Sequence, residues 1–211
     1  MLMANSKKQL LNRQSCLFNN YLYRMKQRGQ IVIDKILDTA ERLFYTQGYG
    51  NTGINQIIEE ADIAKASLYK HFETKNDLLA AYVQRTHECW MIRLEAAINK
   101  VTDPKEKLLT VFDYHLERQE IRQFGGCPFI KVNDEEGTND SRILEQVQIT
   151  KQRSKELIRE LVKHSGHRKE LNDDELSETV YMMLEGAIVT SSVFKNPDAI
   201  RSAKKIIRKL I

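Results

Sequence analysis

Two short apolar stripes separated by a four-residue break constrain this chain more than any other stretch. In residues 52–75, TGINQIIEEADIAKASLYKHFETK, Ile54, Ile57, Ile58 and Ala61 recur at the spacing of one helical face, and Leu68 and Phe72 mark a second. The break at Ala61, Asp62, Ile63 and Ala64 leaves room only for a sharp corner. Two helices meeting steeply form a DNA-binding unit when the second lies in the major groove. Between its inward positions the second helix offers Lys65, Ala66, Ser67, Tyr69, Lys70 and His71, a basic and polar face with one phenol. It reads as a recognition helix. Lys65, Ser67 and Lys70 would approach base edges, and Tyr69 and His71 would fix register on phosphates.

These residues resemble the signature of the TetR (tetracycline-repressor-like) family of bacterial transcriptional regulators. The similarity starts near Ile33 and runs to about Leu79, through AERLFYTQGYGNT and LYKHFETKNDLL, and its specific part is the LYxHFxxKxDL run. The resemblance implies an all-α fold, with an N-terminal three-helix DNA-binding domain and a larger C-terminal helical domain for dimerisation and effector binding. The domain spans expected are a flexible basic extension over 1–28, the helix-turn-helix domain over 29–75 and the helical domain over 76–211. Phosphate contacts from Thr52 and Lys75 are implied in the same way. Two positions depart from the family pattern: Asp62 stands where Gly is usual, and Ala64 where Ser or Thr opens the recognition helix. Asp tolerates left-handed backbone angles better than most residues. An Ala cap costs ~1 kcal/mol, unless the bare amides face water or phosphate or Asp62 reaches them.

Charge is placed unevenly. Lys7, Lys8, Arg13, Arg24, Lys26 and Arg28 occupy residues 1–28 with no acid among them, while the whole chain is only +4. The remainder is therefore slightly acidic, so placement rather than overall charge argues for DNA. The basic extension reads either as a disordered arm, with Met25 lying where such a domain begins, or as an arm that follows the DNA backbone. No apolar run approaches the ~20 residues of a membrane span, and no secretory h-region opens the chain. Cys16, Cys89 and Cys127 are far apart and odd in number, which fits a reduced, cytoplasmic setting.

The remaining pattern is helical throughout, with nine helices and no strand. A first helix over 30–47 carries Ile33, Ile36, Leu37, Ala40, Leu43 and Phe44, and Gly48 suits its left-handed C′ position. Thr52 is expected to cap the second helix. Thr74 and Asp77 form a capping box for a long rod whose stripe runs from Leu78 to Ile98. Asp103-Pro104 opens a helix to about Gln123, residues 124–129 interrupt the pattern, and a short helix runs through Val132. A cap region at 138–140 leads into a helix from Ser141 to about His164. Asn172 caps the next, and Asn196-Pro197 starts the last.

A recognition helix spans few base pairs, so tight binding calls for two copies one DNA turn apart. Leu176, Val180, Met183, Leu184, Ala187, Ile188, Ser191, Ile200, Ala203 and Ile207 are the candidate pairing surface; alternatively, the same stripes pack inside one subunit. Trp90, Met91, Phe112, His115, Phe124, Cys127, Phe129 and Met183 either line an effector pocket or form plain core. Cys127, between glycines and a proline, is either a thiol sensor or a small buried residue. No metal-ligand set, cofactor loop or catalytic constellation stands out. The expected function is a cytoplasmic one-component regulator, most simply a repressor. Its partners are a near-palindromic double-stranded DNA operator, a second copy of itself and a small-molecule effector; no membrane and no cofactor are expected. A helical-bundle enzyme or a helical adaptor are the rival classes.

Overall fold

Ile36, Leu37, Ala40, Leu43 and Phe44 lie three or four apart, and a helix places them on one face. That helix is α1 (Arg28–Gln47) in the computed structural model, which describes residues 28–136, 140–167 and 171–211. Apart from Arg28, the basic extension over 1–28 and its Cys16 lie outside the described residues, as does Thr138. Gly48 ends α1 at φ +87°, the left-handed angle required of its position. The helix-turn-helix follows as α2 (Ile54–Glu60) and α3 (Lys65–His71). Asp62 turns the corner between them at φ 49°, so an Asp does here what Gly does elsewhere.

Capping then punctuates the chain. Thr74 and Asp77 make both bonds of a capping box at the start of α4 (Lys75–Ile98). Asp103 accepts the Glu106 amide at 2.9 Å to open α5 (Pro104–Ile121). The left-handed angles of Gln123 and Phe124 stop α5 two residues sooner than its apolar spacing suggests. Beyond them α6 (Pro128–Glu136) runs one turn past Val132. Asp140 caps α7 (Ser141–His164), and Asn172 with Glu175 boxes the start of α8 (Asp173–Phe194). Asn196 then accepts the Asp198 amide at 3.1 Å where α9 (Asp198–Leu210) begins. The described residues form nine helices and no strand.

Two apolar cores result. One joins α1, α2, α3 and the first half of α4, with Phe129 and Val132 of α6 and Ile143 and Val147 of α7 closing it. The other joins the second half of α4 to α5, α7, α8 and α9. Helix α4 belongs to both: Leu78, Leu79, Tyr82 and Val83 fill the first, while Trp90, Leu94 and Ile98 fill the second. Cys127 packs against both.

Leu68 is fully buried and is the peg that holds α3 to the first core. Leu68→Ala is expected to lower stability by ~2–5 kcal/mol in urea unfolding, whereas Lys70→Ala on the outer face should stay within about 0.5 kcal/mol.

Candidate nucleic-acid interface and ligand cavity

With Leu68 and Phe72 turned inward, α3 shows solvent its other side. Lys65, Ala66, Tyr69 and Lys70 are exposed, and Ser67 and His71 partly so. The Lys65 ammonium lies 5.9 Å from the Tyr69 ring centroid. Ala64 provides no side-chain cap and Asp62 does not replace one, so the first-turn amides of α3 lack a side-chain acceptor. Beside this face, Asn51, Gly53, Tyr69, Glu73, Thr74 and Lys75 line an open hollow where three helix ends meet. The Lys75 ammonium is steered by the Tyr49 carbonyl at 2.6 Å and stacks over the Tyr49 ring at 3.8 Å. An ammonium has three donors, so this contact sets its direction without cancelling its charge.

Thr52 is placed differently from expectation. Gly53, not Thr52, is the N-cap of α2, and Thr52 is 1% exposed. Its hydroxyl donates to the Gly48 carbonyl at 2.6 Å and accepts from Gln47 Nε2 at 3.3 Å. The hydroxyl thus closes the turn after α1, on the wall of the same hollow.

A second concavity lies in the body. Val111, His115 and Arg118 share one face of α5, and Arg122 at its C-cap continues the line, so a stripe that begins apolar ends basic. With residues of α4, α6, α7 and α8 they enclose about 50 Å³, room for a few waters. Arg122 pairs with Glu41 at 2.6 Å and lies over the Tyr45 ring. Lys151 pairs with Glu185 at 2.6 Å. Burial, reinforced by the charges of Arg118 and Lys151, pulls His115 down to about 3, so its ring is neutral near pH 7. Gln119 pins the Gly126 backbone with two bonds of 3.1 Å. The Tyr45 hydroxyl of α1 donates to the same Gly126 carbonyl.

Helix α6 links cavity and head. Phe129, at its start, forms part of the cavity wall. Glu135, near its end, accepts the Gly50 amide at 2.6 Å, in the turn just before α2. Lys131, between them, donates to the Tyr45 carbonyl at 3.0 Å. Arg142 of α7 pairs with Asp77 at 3.0 Å, and Asn76 donates to Asp140 at 3.1 Å, so the start of α4 is tied to the body too.

Comparison with known proteins agrees with this layout. Residues 36–82 match the family model described as bacterial regulatory proteins, tetR family, and residues 104–207 match the tetracyclin repressor-like C-terminal domain. The HTH-type transcriptional regulator LmrA of Bacillus subtilis is 30% identical over 174 residues, 77% of this chain and 87% of that protein. The chain belongs to the TetR family of transcriptional regulators. An uncharacterised HTH-type regulator of Mycobacterium tuberculosis is 35% identical over 83 residues, 39% of this chain; the match spans only 41% of that protein's length. A TetR-family regulator from Streptomyces coelicolor has the same fold, with a TM-score of 0.76 at 22% identity over 86% of this chain and 96% of its own.

In this TetR-family chain the predicted pocket set is split. Trp90, His115, Cys127 and Phe129 line the cavity. Met91, Phe112, Phe124 and Met183 do not: Phe112 is sealed in the second core, Met91 and Met183 pack against that core, and Phe124 occupies the left-handed turn after α5. Sequence reasoning passed over Arg118, Arg122, Lys151 and Glu185. The spacing of 111, 115, 118 and 122 held the signal, because it carries one arginine on the inward face of α5 and a second at its C-cap.

The residues named for pairing lie inside this subunit, as the alternative reading of their stripes has it. Leu176, Val180, Leu184, Ala187, Ile188, Ser191, Ile200, Ala203 and Ile207 are buried within this subunit, and Met183 packs against its core. The stripes were read correctly as apolar, but a lone subunit already consumes them. The opposite side of α8 instead exposes Met182, Val189, Val193 and Phe194, the last two at 68% and 69%, with Ile206 of α9 nearby in exposure. Gly186 lies in that stripe, where an added Cβ would meet nothing within 4 Å.

A histidine whose pKa falls on folding resists a proton that the unfolded chain accepts. Its contribution is therefore whole above its unfolded pKa of about 6.5 and erodes below it, by up to about 1.4 kcal/mol per pH unit. Urea midpoints should thus fall from pH 7 to pH 5, and His115→Gln should flatten that fall; an unchanged slope would mean that the ring takes up protons freely. Burial also lowers the His87 pKa, which leaves a smaller residual slope of the same sign.

Proposed function

We propose that this regulator is a homodimeric, one-component repressor that binds a near-palindromic operator and is released by a small molecule held in the cavity. The observation that carries the reading is the outward face of α3, basic and polar while Leu68 and Phe72 anchor its back. Lys65, Ser67 and Lys70 would read base edges, with Ala66 admitting close approach, and Tyr69, His71 and Lys75 would hold phosphates. The reading head is residues 29–75, and residues 76–211 form the body. Met182, Val189, Val193 and Phe194 of α8, around Gly186, make the pairing surface, because an exposed apolar stripe at helical spacing is what a two-fold helix bundle buries. The protein acts by binding in the cytoplasm and performs no chemical step. Occupying the operator excludes polymerase, hence repression.

The cavity reaches the head by two routes: α4, whose stripe fills both cores, and α6, whose Glu135 holds the turn before α2. A ligand moves this system only through unequal affinity for two arrangements. A second reading keeps the scaffold and makes Cys127 the input. It is motivated by the place of Cys127 on the cavity wall, where the Lys151 ammonium lies 3.5 Å from its sulfur.

Footprinting upstream of the protein's own coding region should show one protected, near-palindromic site. Affinity should fall steeply with salt, and Lys70→Ala should weaken binding and reduce the salt slope by roughly one per subunit while leaving the dimer intact. Val193→Asp should yield monomers in ultracentrifugation and at least a tenfold loss of operator affinity; a stable dimer after that change rules out this pairing face. Cys127→Ser decides the second reading, since it should abolish any response to oxidant while ligand release persists.

A further inference from the structure

Arg118 is a partly buried cation on the cavity wall to which the fold supplies no carboxylate among the described residues. Among the described residues its guanidinium donates to the Tyr114 hydroxyl at 3.4 Å and lies 5.7 Å from that ring's centroid, and no acid stands within ion-pair distance. Burial lowers its pKa, and repulsion from Arg122 adds to the effect. The neighbouring cations are matched, Arg122 by Glu41 and Lys151 by Glu185. Even so, among the described residues Arg122 Nη1 is buried on the cavity lining without a hydrogen-bond partner. The cavity therefore holds Arg118, Arg122 and Lys151 against Glu185, and with Glu41 behind Arg122 one positive charge is left over. The rest of the wall is largely apolar, with Trp90, Leu94, Phe129, Ile158, Leu184 and Ile188.

We propose that this cavity takes a small organic carboxylate with an apolar body, its carboxylate held by the Arg118 fork and its body against Trp90 and Phe129. The proposal rests on reading the cavity as the effector site. A guanidinium presents paired donors at carboxylate spacing, and in a low-dielectric enclosure such a pair is far stronger than in water. A neutral ligand leaves the surplus charge unanswered, and a cationic one adds to it. Size supplies the second half of the argument. At about 50 Å³ the cavity is smaller than the ~150 Å³ that admits benzene, so a ring-bearing acid must part the walls. Such a ligand prefers the widened arrangement by construction, and that preference is what an effector needs.

The test titrates acetate, isobutyrate, benzoate and phenylacetate, each beside its amide, into the full chain by calorimetry at fixed ionic strength. At least one acid should bind, its amide at least tenfold more weakly. Arg118→Gln should weaken that acid tenfold or more, and Arg118→Lys should recover part of the loss. Should Arg118→Gln fail to fold, the acid–amide comparison on the unchanged chain decides alone. The proposal is overturned if none of the four acids binds, if the amides bind as tightly, or if a folded Arg118→Gln binds undiminished. Footprinting with the same compounds separates the two readings. Acid binding without operator release keeps the carboxylate site and removes its effector role; release by the amides keeps the effector role and removes the carboxylate site.

Discussion

The structure hangs on α4 filling both apolar cores from one buried face, interrupted between them by Thr86 and His87. Its first turns place Leu78, Leu79, Tyr82 and Val83 in the first core beside α1, and its last place Trp90, Leu94 and Ile98 in the second beside α5 and α7. A close-packed helix cannot shift at one end while its other end stays in register. The head is therefore not an independent bead on a string. Tyr82, whose phenol pKa burial drives far upward, marks how dry that junction is.

Helix α6 adds a second constraint of a different kind. Where α4 couples through packing, α6 couples through polar bonds: Lys131 to the Tyr45 carbonyl and Glu135 to the Gly50 amide. Hydrogen bonds are directional, so a small rotation of α6 is enough to break them. Gly48 sits under the Glu135 carboxylate, where a Cβ would come within 3.0 Å of Oε1. The glycine thus serves twice, by its left-handed angle and by the space it leaves.

Much of this was legible in the chain. Caps at Thr74, Asp103, Asp140 and Asn172 fixed helix starts because a cap is local chemistry, written within four residues. The inward residues Leu68 and Phe72 followed from periodicity, and so did the outward lysines. What stayed open was partner assignment. The stripes of α8 and α9 state that something covers them, but not whether it is α5 and α7 of the same subunit or a second copy. Thr52 shows the same limit on a smaller scale: Thr at a helix start suits a cap, yet its hydroxyl closes the preceding turn instead. Arg118 escaped notice because a base on a helix is ordinarily a solvated one, and only tertiary packing decides otherwise.

The energetics set a standard for the proposed switch. Turning a two-state equilibrium from 99:1 to 1:99 requires about 10⁴-fold preference, about 5.5 kcal/mol. A two-fold dimer divides this between two sites, so each ligand must supply on the order of 2.7 kcal/mol of difference between arrangements. A hydrogen bond to a charged group contributes about 1.5–3 kcal/mol, and burying one or two methylenes about 0.8 kcal/mol each. One carboxylate on Arg118 plus a small apolar body therefore meets the requirement only if nearly all of its binding energy is withheld from the closed state. A cavity too small to admit the ligand when closed meets that condition; a roomy one, open to ligand in both arrangements, would bind well and switch nothing.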